Sequence, residues 1–448
     1  VVLKKNRSIG DSILVIDASK HFTKGKDHNI LQDKDIARIV DTYSQRIEST
    51  GYSHLVSLDE LKKNDYNFNI PRYVEQIETE IPHHVDAHLY GGIPKEDFNK
   101  LPILTTEIKD ILSMHLKEIR NGYYDIKNMD TLRVDILDSA SVEEVNGKLN
   151  KRIEVYAEKY WENLKSVNKQ TGLAGLKSAM LADAKRLFMD IKWVDSYEAY
   201  QVVAELWNTI FNHDLEIIAA SGFYESARMT EPNMVSKGQG KNKRMVQEGV
   251  RGSIIPNDLI EEILFSEKKK ELEVIQVELE NVSDELSELV EAAKVEESDE
   301  YYALNDLIKR NDEGETTETF DAKLVKKELK NLGPTDDAYQ LVKQTNDLLE
   351  KTKKLKKISK NNREALNDEI CARFGTLTHD EIDQLLRIKW FGSFVAVMTD
   401  ILRAPILKEI DTLLMLKTRY SDTVQSLDAA IDDLEKSIED MMKELVLE

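Results

Sequence analysis

One cysteine, Cys371, stands in 448 residues. A lone thiol closes no disulfide within the chain and builds no Cys-rich zinc cage, so the reading is of a reducing, intracellular setting, the cytoplasm. The eight prolines never stand side by side. The Asn/Asp-Pro-Pro-aromatic motif of catalytic amino-methyltransferases is therefore missing from these residues. No Gly-Lys is followed by Ser or Thr, which removes the phosphate-cradling P-loop. There is no Gly-x-Ser-x-Gly elbow and no Gly-x-Gly-x-x-Gly turn. Long apolar runs are also scarce. The most apolar patch, residues 390–398, falls short of a bilayer-spanning length, and no signal peptide is read, so no membrane partner is expected. The expectation for this chain is thus no catalytic, no cofactor-binding and no metal residues. Its first residues, VVLKKNR, carry no initiator methionine, which reads as a fragment.

Charge is abundant: 32% of residues are Asp, Glu, Lys or Arg, and the formal net charge is −21. Such a chain is repelled by phosphate backbones unless its cations cluster. They do so in KGQGKNKRMVQEGVRG, where Lys237, Lys241, Lys243, Arg244 and Arg251 face only Glu248. These five are candidate DNA contacts; the competing reading is a solvated, mobile loop over residues 236–252. The run Lys351, Lys353, Lys354, Lys356, Lys357 and Lys360 reads as one side of a helix pair. In HHVDAH, His84 and His88 would share a helix face. A metal needs more ligands, rigidly held, and polar surface histidines are the better reading of His83, His84 and His88.

The pattern along the chain is mainly α. Strands are expected at residues 1–4 and 12–16 around a Gly10-Asp11 turn, with a short strand at 54–56. A helix capped at Asp33 presents Ile36, Ile39, Val40 and Tyr43 at helical spacing. Residues 52–75 end in an Asn-rich turn and Ile70-Pro71, and read as extended, with Tyr66, Phe68, Ile70 and Tyr73 as anchors. Helical periodicity covers 104–119, 142–168, 172–189 and 196–218, with Trp161, Trp193 and Trp207 as core. Heptad seams follow. The first runs Leu272, Ile275, Leu279, Val282, Leu286, Leu289 and Ala293. The second runs Tyr420, Val424, Leu427, Ile431, Leu434, Ile438, Met441 and Leu445. An acidic polar link, 296–318, precedes a lysine-rich helix at 338–360. That helix and 267–293 are expected to fold back on each other, with Glu278 near Lys353, Glu280 near Lys351 and Glu288 near Lys343.

Several blocks resemble one family. ILVIDASKHFTKGKDHNILQDKDIARIVDTYSQR and YSHLVSLDELKKNDYNFNIPRYVE resemble the end of the methyltransferase core in the modification subunit of type I restriction-modification systems. HHVDAHLYGGIPKEDFNKL, VDSYEAYQVVAELW and LTHDEIDQLLRIKW, with TRYSD after it, resemble longer members. The resemblance implies an S-adenosylmethionine-dependent adenine-N6 DNA methyltransferase in the full-length protein, with the Gly-rich cofactor motif and Asn-Pro-Pro-Phe upstream of Val1. It implies assembly with a specificity subunit and a second modification subunit, which a restriction subunit can join, and contact with DNA through that complex. Asn67, Asn69, Pro71, Arg72 and Tyr73 would form the strap leaving the catalytic core. The fold expected is a remnant of a Rossmann-like methyltransferase sheet, then a helical domain, then long antiparallel coiled-coil helices. The corresponding domains are 1–80, 81–265 and 266–448. The rival reading is a free-standing coiled-coil scaffold or adaptor; a more distant one is a nucleic-acid-binding accessory protein using the basic loop.

Overall fold

The computed structural model describes residues 2, 5, 8, 10–75, 81–237, 243–311 and 314–445. Helices dominate, and the strands among the described residues form only two- and three-stranded sheets. The chain divides into two units, Val1–Glu216 with Trp390–Glu448, and Ile217–Lys389.

In the first unit, strand Ile13–Ile16 pairs antiparallel with Ser53–Val56, setting Ile13 opposite Val56 and Ile16 opposite Ser53. Val56, Leu61 and Tyr73 close a small core with Ile13 and Val15. The strand expected at 1–4 lies outside the described residues except for Val2, which is in no strand. Helix Asp33–Gln45 starts one residue earlier than expected, capped by Gln32.

The larger core is built on helix Phe394–Arg419. Phe394, Met398, Leu402, Ile406, Ile410, Leu413 and Leu416 recur at three- and four-residue spacing and are all buried. Against Ile406, Ile410, Leu413 and Leu416 pack Ala87, Ile93, Leu101, Leu104, Leu132, Ile136 and Val142. Trp390 meets Trp161 at a tilt and Phe211 edge-on, and its indole N–H donates to the buried Asp214 carboxylate at 2.9 Å. Of the other tryptophans, Trp207 is buried and Trp193 is partly so, its N–H donating to the Leu402 carbonyl at 3.2 Å.

The helical stretch His379–Arg419 is long and apolar enough, by length and composition, to cross a membrane. This corrects the expectation that no stretch approaches that length. Asp400, Arg403, Lys408 and Glu409 interrupt the run, so inspection for continuous apolar sequence misses it. The buried stripe of Phe394–Arg419 is the ordinary signature of a core helix.

The second heptad seam of the sequence forms helix Val424–Leu445. Its apolar stripe is exposed: Val424 46%, Leu427 53%, Ile431 52%, Leu434 64%, Ile438 54% and Met441 60%.

In the second unit, helices Ser266–Ala292 and Tyr339–Arg373 run antiparallel. Lys268 meets Glu369 at 2.5 Å near one end, and Glu278 meets Lys351 at 2.7 Å further along. The fold-back matches the charge pattern, but Glu278 takes Lys351 rather than Lys353. The link expected to be merely polar is a folded piece. Helix Asp299–Leu304 and strands Ile308–Arg310 and Thr316–Phe320 bury Leu304, Leu307, Ile308 and Phe320 against Val290, Val325 and Val342. The acidic residues there hid a sparse set of apolar anchors that a composition scan averages away.

Candidate functional site

The Asn-rich stretch is compact rather than extended. Ser57 accepts the Glu60 N–H at 3.1 Å and starts helix Leu58–Lys63. Asp65 and Tyr66 then take left-handed φ values of 53° and 57°, reversing the chain. The Asn67 side-chain oxygen accepts the Asn69 N–H at 2.8 Å, and the Tyr73 hydroxyl donates to the Asn67 carbonyl. Ile70–Arg72 forms a 3-10 turn with Pro71 inside it. Pro71 therefore did not force Ile70 out of a helical turn: a first-turn position needs no proline N–H. Of the four expected anchors only Tyr73 is buried; Tyr66, Phe68 and Ile70 are exposed. Asn67, Asn69, Pro71 and Arg72 lie on the surface of this turn.

Next to it, helix Asp33–Gln45 is turned inside out. Its inward face is polar: Asp35 and Thr42 are buried, Lys34 meets Glu198 at 2.8 Å, Arg38 meets Asp195 at 2.6 Å, and Asp41 accepts from Lys185 at 2.6 Å and from the Tyr197 hydroxyl at 2.8 Å. Its apolar residues Ile36, Val40 and Tyr43 are 49%, 54% and 46% exposed. The spacing located the stripe, but the expectation that such a stripe is covered fails for these three.

Arg38 also lies 4.5 Å over the Tyr52 ring, which His21 meets edge-on at 5.0 Å. Burial and the Arg38 charge push the His21 pKa down, and burial pushes the Tyr52 hydroxyl up. A cleft of about 230 Å³ opens here, lined by Lys20, His21, Arg38, Asp195, Tyr197 and Glu198. Sequence reasoning missed this cluster. The signal was present only in part, as a helix whose polar face carries Lys34, Asp35, Arg38 and Asp41 in one stripe.

The histidines of HHVDAH are spread over neighbouring contacts. His83 Nδ1 and His88 Nε2 are 2.9 Å apart, while His84 Nε2 reaches Glu96 at 3.3 Å. Among the described residues no three His, Cys, Asp or Glu groups converge in a way that could hold a metal.

In the second unit, the basic segment expected as a mobile loop is a β-ribbon. Thr230–Lys237 pairs antiparallel with Arg244–Gly252, with Lys237 opposite Arg244 and Val235 opposite Val246. The β-branched and Met positions Val235, Met245 and Val246 carry the strand propensity that the Gly, Lys and Arg content obscured. Lys243 and Arg244 are exposed beside the reversal. Arg251 pairs with Glu231 at 2.8 Å, so it is less free to meet a phosphate. Lys241 lies outside the described residues, and of Lys237 only the backbone register is described. Met234 and Met245 are largely exposed on the ribbon, whose two-stranded width is one that the DNA major groove admits.

Comparison with known proteins shows what part of this chain is similar to. Residues 1–81 match the N-6 DNA Methylase family. This amino-terminal segment is similar to that family. The chain is 33% identical over 113 residues to the methylase subunit of the type I restriction enzyme MpnII of Mycoplasma pneumoniae, covering 25% of this chain and 20% of that protein. It is 32% identical over 127 residues to the MjaVIII methylase subunit of Methanocaldococcus jannaschii, covering 27% and 21%. The MjaVII methylase subunit of the same organism is 37% identical over 83 residues. The matched stretch thus spans about a fifth of the length of the first two relatives. No solved structure matches significantly. All three relatives are methylase subunits of type I restriction enzymes, and the segment that matches the methylase family carries both the Asn-rich turn and the inverted helix.

Proposed function

We infer that this chain is part of a type I modification subunit and that its own work is assembly. The whole protein would transfer a methyl group from S-adenosylmethionine to adenine N6 in DNA. This part of it would hold the catalytic core against a specificity subunit, a second modification subunit and, where present, a restriction subunit. The observation that carries this reading is the inverted helix. In a segment of methylase-family sequence, Ile36, Val40 and Tyr43 face outward while charged residues are packed inward. Three large side chains left about half exposed forgo part of the roughly 1.5–3 kcal/mol that full burial of a large apolar side chain gives. A helix of this kind is completed by another apolar layer. On this reading Ile13–Ile16 and Ser53–Val56 are the last strands of a larger Rossmann-like sheet, and the Asn-rich turn is the strap leaving it.

Neither a Gly-rich cofactor loop nor Asn-Pro-Pro occurs in these residues, so S-adenosylmethionine binding would rest on other parts of the subunit. DNA would be met through the complex, with the ribbon Lys243 and Arg244 supplying local positive charge in an acidic chain. The test is the coding sequence immediately before Val1. The reading requires an in-frame Asn-Pro-Pro-aromatic motif there; an upstream reading frame without one removes the enzyme-subunit assignment and leaves a scaffold protein.

A further inference from the structure

Helix Val424–Leu445 combines an uncovered apolar stripe with a one-sided charge pattern. Its stripe positions Val424, Leu427, Ile431, Leu434, Ile438 and Met441 alternate at three and four residues, the a and d positions of a heptad, and all are exposed. The helix is firmly rooted. Thr423 and Ser426 cap each other, Ser426 N–H donating to the Thr423 hydroxyl at 2.9 Å and Thr423 N–H to the Ser426 hydroxyl at 3.0 Å. Just before it, the Tyr420 hydroxyl donates to the buried Asp97 carboxylate at 3.3 Å, and the Arg419 guanidinium donates to the Ile81 carbonyl at 2.9 Å. A stripe held in one place, with its register set, is a formed surface rather than a frayed end.

The flanks of the stripe say what can cover it. With Val424 at position a, Asp428 and Glu435 fall at e, and Glu444 at g; the other flanking positions are Ala430, Ser437 and Met442. Both lysines of the helix, Lys436 and Lys443, fall at f, on the outer face. Flanking positions set partner choice in paired helices. A second copy of this helix would bring no cation to Asp428 or Glu435 in either direction. A helix with Lys or Arg beside its apolar seam would bring one to each.

We propose that this face docks an amphipathic helix of another polypeptide whose seam is flanked by basic residues. The proposal rests on the assembly reading above and names the chemistry of the partner. Apolar burial along the seam supplies the binding, and the acidic flanks select the partner and reject self-pairing.

The test uses the full chain and two synthetic peptides of about three heptads, identical at their Leu and Ile seam positions, one with Lys and one with Glu at e and g. Titration followed by fluorescence anisotropy should show saturable binding of the Lys peptide, and binding of the Glu peptide weaker by roughly tenfold or more. Leu434→Asp should abolish binding of the Lys peptide. The double variant Asp428→Lys with Glu435→Lys should reverse the preference, a result that a merely unfolded helix does not give. Equal binding of both peptides, binding of neither, or a chain dimer in sedimentation that Leu434→Asp dissolves, would each overturn the proposal. None of these outcomes bears on the motif expected upstream of Val1, so the two readings fail separately.

Discussion

Single residues show where this protein depends on partly buried charge. The Glu409 carboxylate accepts the N–H groups of Ile103 and Leu104 at 3.1 and 2.9 Å, tying helix Phe394–Arg419 to a turn whose donors would otherwise be orphaned. Burial pushes its pKa up against those two hydrogen bonds. Hydrogen bonds to a charged group contribute roughly 1.5–3 kcal/mol, so Glu409→Ala should lower unfolding stability by about that much in urea titration, while Glu409→Gln, which keeps an acceptor, should cost less. His54 behaves in the opposite electrostatic sense to His21. Burial lowers it, but hydrogen bonds to the Glu60 and Glu48 carboxylates outweigh burial and leave its pKa raised. A raised folded-state value means the stabilisation is fully present below the ordinary histidine value and is lost as pH rises through the folded one. The Tm gap between the wild type and His54→Gln should therefore be larger near about pH 5.5 than near about pH 8.5. An invariant gap would mean His54 contributes by packing alone. None of this was legible in sequence, because Glu409 and Ile103 are brought together only by the fold.

Among the helices and strands, periodicity was the reliable signal and surroundings were not. The spacing of Leu272, Leu279 and Val282 located a long helix and its direction of pairing correctly, because charges along one helix face must meet their counterparts on the other. The register slipped by two residues, since Glu278 reaches Lys351 in place of Lys353 and exposed ion pairs are too weak to fix register. With Cys371→Ser as background, Glu278→Cys and Lys351→Cys should cross-link readily with a short bis-maleimide, and a pair placed for a parallel arrangement should not. The same periodicity located Ile36, Val40 and Tyr43 and also the terminal seam, yet periodicity alone does not tell what covers a stripe. The ribbon was missed because Gly, Lys and Arg dominate its composition while its strand-forming residues are few. If Lys243 and Arg244 meet phosphates in the assembled complex, replacing both by Ala should flatten the salt dependence of DNA binding by up to about two units of slope. An unchanged slope would make the ribbon a structural arm without DNA contact.

For the molecule as a whole, the likeness of the first residues to the methylase family and the mainly helical architecture were readable from sequence, the first from its specific blocks and the second from spacing. The discontinuous first unit was not, since joining Val1–Glu216 to Trp390–Glu448 depends on long-range packing that leaves no local mark. What unites the uncovered stripes of helices Asp33–Gln45 and Val424–Leu445 is that each is a formed apolar surface without a partner among the described residues. On the proposed assembly reading, other protein would complete such a chain. The decisive measurement is native mass spectrometry of this chain co-expressed with the specificity subunit of its own system. A stable complex containing both, disrupted by Leu434→Asp, is the expected outcome; a specificity subunit that remains free while the chain is folded and in excess would refute it.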